Sequence, residues 1–233
     1  MPKFVVAGID YSITSPSIVV HIGDNWNHRQ TIAYYFDDRK NAPMNPKCEI
    51  RLKQAIYPFW KTPEDRFDQL GLWAISILAA NRVNKAYIED YAFSRGGGTG
   101  RVFDLAENGG VLKNYMYHFN IPFMLVSPSD LKKWVTDNGT AKKELMEAAF
   151  VSDTGITDLR KVLDITEKAT APISDIIDAY YLAHYAFVDM TTGIDGKKPK
   201  VKKHGWNTKL KKLKPMKKKV NKGESDGKEN EEG

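Results

Sequence analysis

Three short apolar runs near the start of the chain constrain its fold more than any other feature. Lys3–Asp10 (KFVVAGID) is rich in Val, Phe and Ile and ends in an acid. It reads as a central strand buried on both faces. Ser17–Ile22 (SIVVHI) and Thr31–Phe36 (TIAYYF) read as two further strands. The segments between them carry Ser, Thr and Pro (Tyr11 to Ser17) or Asp24-Asn25, which are turn formers. Three strands joined by tight turns predict an antiparallel meander.

After the meander the pattern changes to alternating helices and strands. Asp37 to Lys61 holds three prolines, mixed charges and Cys48, and no element is assigned there. Thr62-Pro63-Glu64-Asp65 is a helix start, with Thr as N-cap, Pro in the first position and acids in the first turn. The apolar positions from Phe67 to Leu78 continue that helix to about Arg82. Lys85–Asp90 (KAYIED) is a fourth strand, and Ser94–Gly100 (SRGGGTG) a basic, glycine-rich loop. Val102–Phe119 reads as a helix although Gly109 and Gly110 lie inside it. Each glycine costs about 1 kcal/mol there, so a close helix–sheet contact is expected. Pro122–Val126 is a fifth strand, followed by short helices over 130–135 and 142–150 and an amphipathic final helix over 173–190. This order predicts an α/β fold: a mixed five-stranded sheet flanked by helices.

Charge divides the chain. From Lys197 to Gly233 there are 14 Lys, no Arg and 5 acidic residues, a net of +9 within an overall +6. The preceding residues carry 21 basic and 24 acidic side chains, a net of −3. A uniformly basic coat protein is thereby excluded. The expected organisation is one domain over residues 1–190 and a disordered Lys-rich tail over 191–233. The single cysteine, Cys48, excludes an internal disulfide framework and a Cys-based zinc cluster. No apolar run approaches the roughly 20 residues needed to span a bilayer, and the N-terminal run lacks signal-peptide character. The expectation is a cytoplasmic protein that is neither secreted nor bound to membrane.

Chemistry enters with four carboxylates. Asp10 and Glu89 end separate strands, while Asp175 and Asp178 lie three apart near the start of the last helix and share a face. Taken singly, an acid at a strand end is ordinarily solvated, and an Asp pair early in a helix ordinarily complements its dipole. If the first and fourth strands pair, however, all four converge. Four carboxylates around one point repel unless a hard cation neutralises them, and oxygen ligands favour Mg²⁺ or Mn²⁺. Such clusters hold two ions about 4 Å apart and suit in-line displacement at phosphorus. The five histidines show no ligand spacing, and His184 falls on the apolar side of the last helix as a packed core residue.

Cations accompany the acids. Lys132 and Lys133 follow the fifth strand, Lys142 and Lys143 follow the Asn138-Gly139-Thr140 turn, and Arg95 and Arg101 flank the glycine loop. These segments can leave the same end of the sheet as the carboxylates, where a phosphodiester needs cations for its flanking phosphates. Tyr91 and Phe93, beside Glu89, have the chemistry to stack on an unpaired base.

At this point the residues resemble a RuvC-type Holliday junction resolvase of the RNase H-like nuclease superfamily. Carrying the resemblance are Gly8-Ile9-Asp10, Ile88-Glu89 and Ser127-Pro128 with Lys132. Gly139-Thr140-Ala141-Lys142-Lys143 and Ser174-Asp175-Ile176-Ile177-Asp178-Ala179 complete it, all in the family's order between Ala7 and about Phe187. It implies that Asp10, Glu89, Asp175 and Asp178 are metal ligands and that Lys143, with Lys132, contacts phosphate near the scissile bond. It also implies a homodimer nicking opposed strands of a four-way junction in recombination and repair. Departures are visible: Tyr11-Ser12 stands where bacterial members usually have Pro-Gly, the Asp37–Lys61 connection is longer, and the Lys-rich tail is additional. They point to a bacteriophage or otherwise divergent branch. For the family's aromatic wedge, Phe93 is the nearest counterpart.

Three other readings share parts of this pattern. An RNase H-like nuclease acting on RNA–DNA hybrids or flaps would use the same metal chemistry. A non-catalytic junction-binding protein would make the carboxylates incidental. A phosphotransferase of the actin-like ATPase type would need a second phosphate loop and two lobes, which the chain does not provide.

Overall fold

The computed structural model describes residues 4–37, 48–91, 99–165 and 171–192. The first three strands form as their sequences require: β1 (Val5–Asp10), β2 (Ser17–Ile22) and β3 (Thr31–Phe36). β2 is antiparallel to both neighbours, with Gly8 opposite Val19 and Ala33 opposite Val19 on the other side. A fourth strand, β4 (Arg51–Ala55), then pairs parallel to β3 at the sheet edge. It lies within the stretch where the sequence assigns nothing, so the sheet has six strands and not five. β4 is short, polar and half exposed, and only its pairing makes it a strand.

Helix α1 (Pro63–Ala80) starts as expected, with the Thr62 hydroxyl accepting the Asp65 amide at 3.2 Å. β5 (Lys85–Glu89), α2 (Thr99–His118) and β6 (Phe123–Val126) follow. The last part is helical: α3 (Pro128–Thr136), α4 (Lys143–Thr154), the short α5 (Leu159–Val162), absent from the sequence reading, and α6 (Ile173–Thr192). Thr191 and Thr192 complete α6, whereas the tail was expected to begin at residue 191. From residue 193 onward the tail lies outside the described residues.

Strand order is β4-β3-β2-β1-β5-β6. Every strand except β2 points the same way, so Asp10, Phe36, Ala55, Glu89 and Val126 share one edge, the carboxyl ends of five strands. Period-two alternation divides the core between the two faces. Val5, Ala7, Ile9, Ala86 and Ile88 pack with α1 and α2. Val6 and Tyr87 pack with α3, α4 and α6. Helix α6 lies across β1, β2 and β5 and buries Ile176, Ile177, Leu182 and Phe187 among others, each side chain contributing about 1.5–3 kcal/mol if fully removed from water. His184 stacks on Trp26 with ring centroids 4.2 Å apart, and burial lowers its pKa to about 4. It is a packed neutral histidine, as the sequence suggests.

Of the helical glycine pair, Gly109 meets the Tyr91 ring, whose Cζ lies 2.9 Å from where a Cβ would stand, while Gly110 faces open space. Gly109 therefore makes a close contact, but with a side chain just beyond β5 and not with a strand, and Gly110 makes none. No described helix is long and apolar enough to cross a membrane.

Candidate metal and phosphate site

Asp10 inherits its direction from strand alternation. Val6 faces α6, so Gly8 and Asp10 face it too. The same rule on β5 turns Lys85, Tyr87 and Glu89 to that face. β1 and β5 pair parallel with Ile9 opposite Ile88, which sets Asp10 and Glu89 side by side one residue further on.

Gly8 brings α6 down onto this pair. A Cβ there would collide with the Ala179 carbonyl oxygen and the Ala183 amide nitrogen, and would stand 2.7 Å from Leu182 Cβ. Only glycine admits the helix so close, and the contact fixes α6 lengthwise. Ala179 sits over Gly8, so Asp178 and Asp175, earlier on the helix, reach the strand ends where Asp10 and Glu89 lie. All four carboxylates line one cavity of about 350 Å³.

Electrostatics record their proximity. Burial raises the Asp10 carboxyl well above the ordinary range, and the charges of Glu89, Asp175 and Asp178 raise it further. Glu89 is pushed up to about 8 by burial and then by Asp178 and Asp175, with Lys132 and Lys143 opposing. Asp178 rises to about 6, from burial and Asp175, against the same two lysines. Two nearby ammonium groups therefore do not neutralise the cluster. The donor set consists of oxygens with surplus negative charge, which fits a hard divalent cation. Among the described residues, no three acidic, histidine or cysteine side chains are already drawn in to the spacing of a coordinated ion, so gathering these four around one requires side-chain movement.

The predicted cations separate. Lys132 and Lys143 line the cavity. Lys143 is the first residue of α4, and its Nζ donates to Ser174 Oγ at 3.0 Å. Lys133 and Lys142 are exposed and do not line it. Phe93, Arg95 and the Arg101 side chain lie outside the described residues. Tyr91 borders a smaller hollow of about 210 Å³ on the other side of Asp10 and Glu89. There its hydroxyl accepts a hydrogen bond from Lys113 Nζ at 3.1 Å, and that ammonium lies 4.9 Å from the ring centroid.

Three further residues in or beside the cavity were given no role from the sequence. Arg160, on α5, lines the cavity while ion-paired to Glu147 of α4. Ser174 donates to Asp175 Oδ1 at 2.9 Å, and Ser15, in the β1–β2 turn, donates to Asp175 Oδ2. Ser174 stands inside the Ser174–Ala179 motif and was visible there. Ser15 is 160 residues from its partner, and nothing local marks it.

No family model matches the chain, and no curated protein matches it by sequence. Solved structures do. RuvC from Thermus thermophilus superposes with a TM-score of 0.50 at 18% identity, over 81% of this chain and 97% of that one. The T. thermophilus RuvC in complex with a Holliday junction substrate gives 0.52 at 17% identity, over 82% and 97%. The yeast mitochondrial Holliday junction resolvase Ydc2 gives 0.50 at 14% identity, over 80% and 78%. The chain has the RuvC-type, RNase H-like fold.

Proposed function

We propose that this protein is a metal-dependent, structure-selective endodeoxyribonuclease that resolves four-way or otherwise branched DNA. The observation carrying this reading is the convergence of Asp10, Glu89, Asp175 and Asp178, with Lys132 and Lys143, at the carboxyl edge of the sheet. The fold shared with RuvC in complex with a Holliday junction substrate points to the same substrate class.

The carboxylates are the ligands for Mg²⁺ or Mn²⁺, two ions per site. Bound there, the metal supplies water activation and charge neutralisation at the leaving oxygen of a phosphodiester. Lys143 and Lys132, on the cavity wall, hold the phosphate in line for attack and offset its charge. Asp10 is the most enclosed of the four, at 7% exposure. Paired nicks on opposed strands follow if two copies each present one such cavity to the junction. The Lys-rich stretch after residue 192 adds a sequence-independent grip on DNA through counterion release.

The test is a panel of four-way junction, flap, RNA–DNA hybrid and plain duplex, incubated with Mg²⁺ and with Mn²⁺. Symmetric nicks in the junction in preference to the rest are expected. Preferred cutting of the hybrid or flap would redirect the substrate assignment. Junction binding without cutting in either metal, together with no Mg²⁺ uptake in calorimetry, would reduce the protein to a non-catalytic binder. Deleting residues 193–233 should weaken junction binding and flatten its salt dependence, while single-turnover cleavage on saturated junction is kept.

A further inference from the structure

Asp175 is held differently from the other three carboxylates. Each of its oxygens receives a hydroxyl hydrogen bond, Oδ1 from Ser174 on its own helix and Oδ2 from Ser15 on the β1–β2 turn. Both serines are enclosed, at 9% and 7% exposure. The turn is braced in its own right, since the Ser15 amide donates to Ser12 Oγ at 3.0 Å. A carboxylate offers about four lone-pair sites. Two are taken by serines, which leaves about two for a cation and removes the freedom to choose which.

Ser174 has a second task. Its single hydroxyl proton goes to Asp175, so its lone pairs are what receive the Lys143 ammonium, 3.0 Å away. One hydroxyl thus sets the place of both a carboxylate and a cation in the cavity. Lys143 keeps two of its three N–H donors for other acceptors.

We infer that Ser15 and Ser174 are positioning residues: a two-hydroxyl clamp that orients Asp175 for metal, in which Ser174 also anchors Lys143 for the phosphate. The inference rests on the metal-dependent reading of the cavity and adds to it. It ties the β1–β2 turn to the start of α6, so the geometry of the site depends on a contact between the two ends of the domain.

The experiment compares wild type with Ser15→Ala, Ser174→Ala and Ser174→Thr in three measurements. These are Mn²⁺ uptake by the protein alone in calorimetry, single-turnover cleavage of a four-way junction against Mg²⁺ concentration, and thermal unfolding. Ser15→Ala and Ser174→Ala should each weaken Mn²⁺ uptake about 10-fold, the scale on which partners of metal ligands act, and shift half-maximal cleavage to higher Mg²⁺. Ser174→Thr keeps the hydroxyl and should bind and cut as wild type does. At saturating metal Ser174→Ala should still cut more slowly, having released Lys143, whereas Ser15→Ala should recover. Unchanged Mn²⁺ uptake in both alanine variants, or a Ser174→Thr as impaired as Ser174→Ala, would overturn the clamp while leaving a cutting wild type a nuclease. Uptake that the serines govern in a protein that cuts no branched DNA would uphold the clamp and sink the nuclease reading. A wild type that takes up no Mn²⁺ overturns both.

Discussion

Helix α6 meets strand β5 twice, and the two meetings follow opposite electrostatic logic. At the amino end of the strand, Asp189 accepts from both Lys85 Nζ and Tyr87 Oη (2.6 Å for the tyrosine), an opposite-charge pair with a hydroxyl to complete it. At the carboxyl end, Glu89 faces Asp178 and Asp175, and the helix supplies more of the charge the strand already has. Helix, strand and burial are shared. One end pairs its charges within the fold, whereas the other sets like charges against each other. A buried group that the fold stabilises is structure; buried like charges that the fold leaves repelling mark a place where a ligand completes the arrangement.

The sharpest way to break this contrast is to neutralise one charge at each end. Asp178→Asn should lower junction cleavage by at least about 10³-fold, since metal ligation carries several kcal/mol of transition-state stabilisation. Junction affinity should persist, because the lysines proposed to meet phosphate remain. Gel-shift and single-turnover assays on the same preparation separate the two, and equal loss of both would mean that Asp178 is structural. Next in size is Gly8→Ala, which sets a methyl group against the α6 backbone and should cost about 3 kcal/mol, the upper end of the usual overpacking range, read from urea unfolding. It should depress cleavage too, because Asp175 and Asp178 ride on the displaced helix.

At the satisfied end, Asp189→Asn should cost about 1–2 kcal/mol in urea unfolding, for an ion pair with partners 23% and 19% exposed. Cleavage should be untouched, and a rate loss would show that the two ends of α6 are coupled. A pH dependence of the metal-free protein is expected as well. Folding raises Glu89 from 4.5 to about 8 and Asp178 from 3.8 to about 6. The folded state therefore binds these protons more tightly than the unfolded state does, and their contribution to stability falls as pH rises through that window. In EDTA, the thermal unfolding temperature should fall between pH 5 and pH 8 on this account, and Glu89→Gln should shrink the fall. Mg²⁺ should restore stability at pH 8 by binding only the folded form.

The elements that fix this architecture were legible because their signals are local. The apolar runs of β1, β2 and β3 are complete within six residues each, and the cap at Thr62 within four. Strand β4 was not legible: Arg51–Ala55 has no apolar run of its own and is a strand because β3 offers an edge beside it. The acids were legible as residues at strand and helix ends, although their convergence depended on β1 pairing with β5. Among the lysines the neighbours Lys132 and Lys133 carry the same charge in the same stretch, and only the resemblance to the resolvases singles out Lys132. Consecutive helical positions diverge by about 100°, and that rotation leaves one on the cavity wall and the other in solvent.

By itself the sequence determined the alternation that turns Gly8 and Asp10 to one face, the period that joins Asp175 to Asp178, and the separation of an acidic body from a lysine-rich end. These are properties of neighbours along the chain, set by strand and helix geometry. The tertiary structure alone decided that Ser15 would reach Asp175, that Lys143 would rest on Ser174, and that Arg160 would pair with Glu147 at the cavity. Hydrogen bonds and Coulomb forces depend on distance through space, and those distances exist only once the helices have settled on the sheet and on one another.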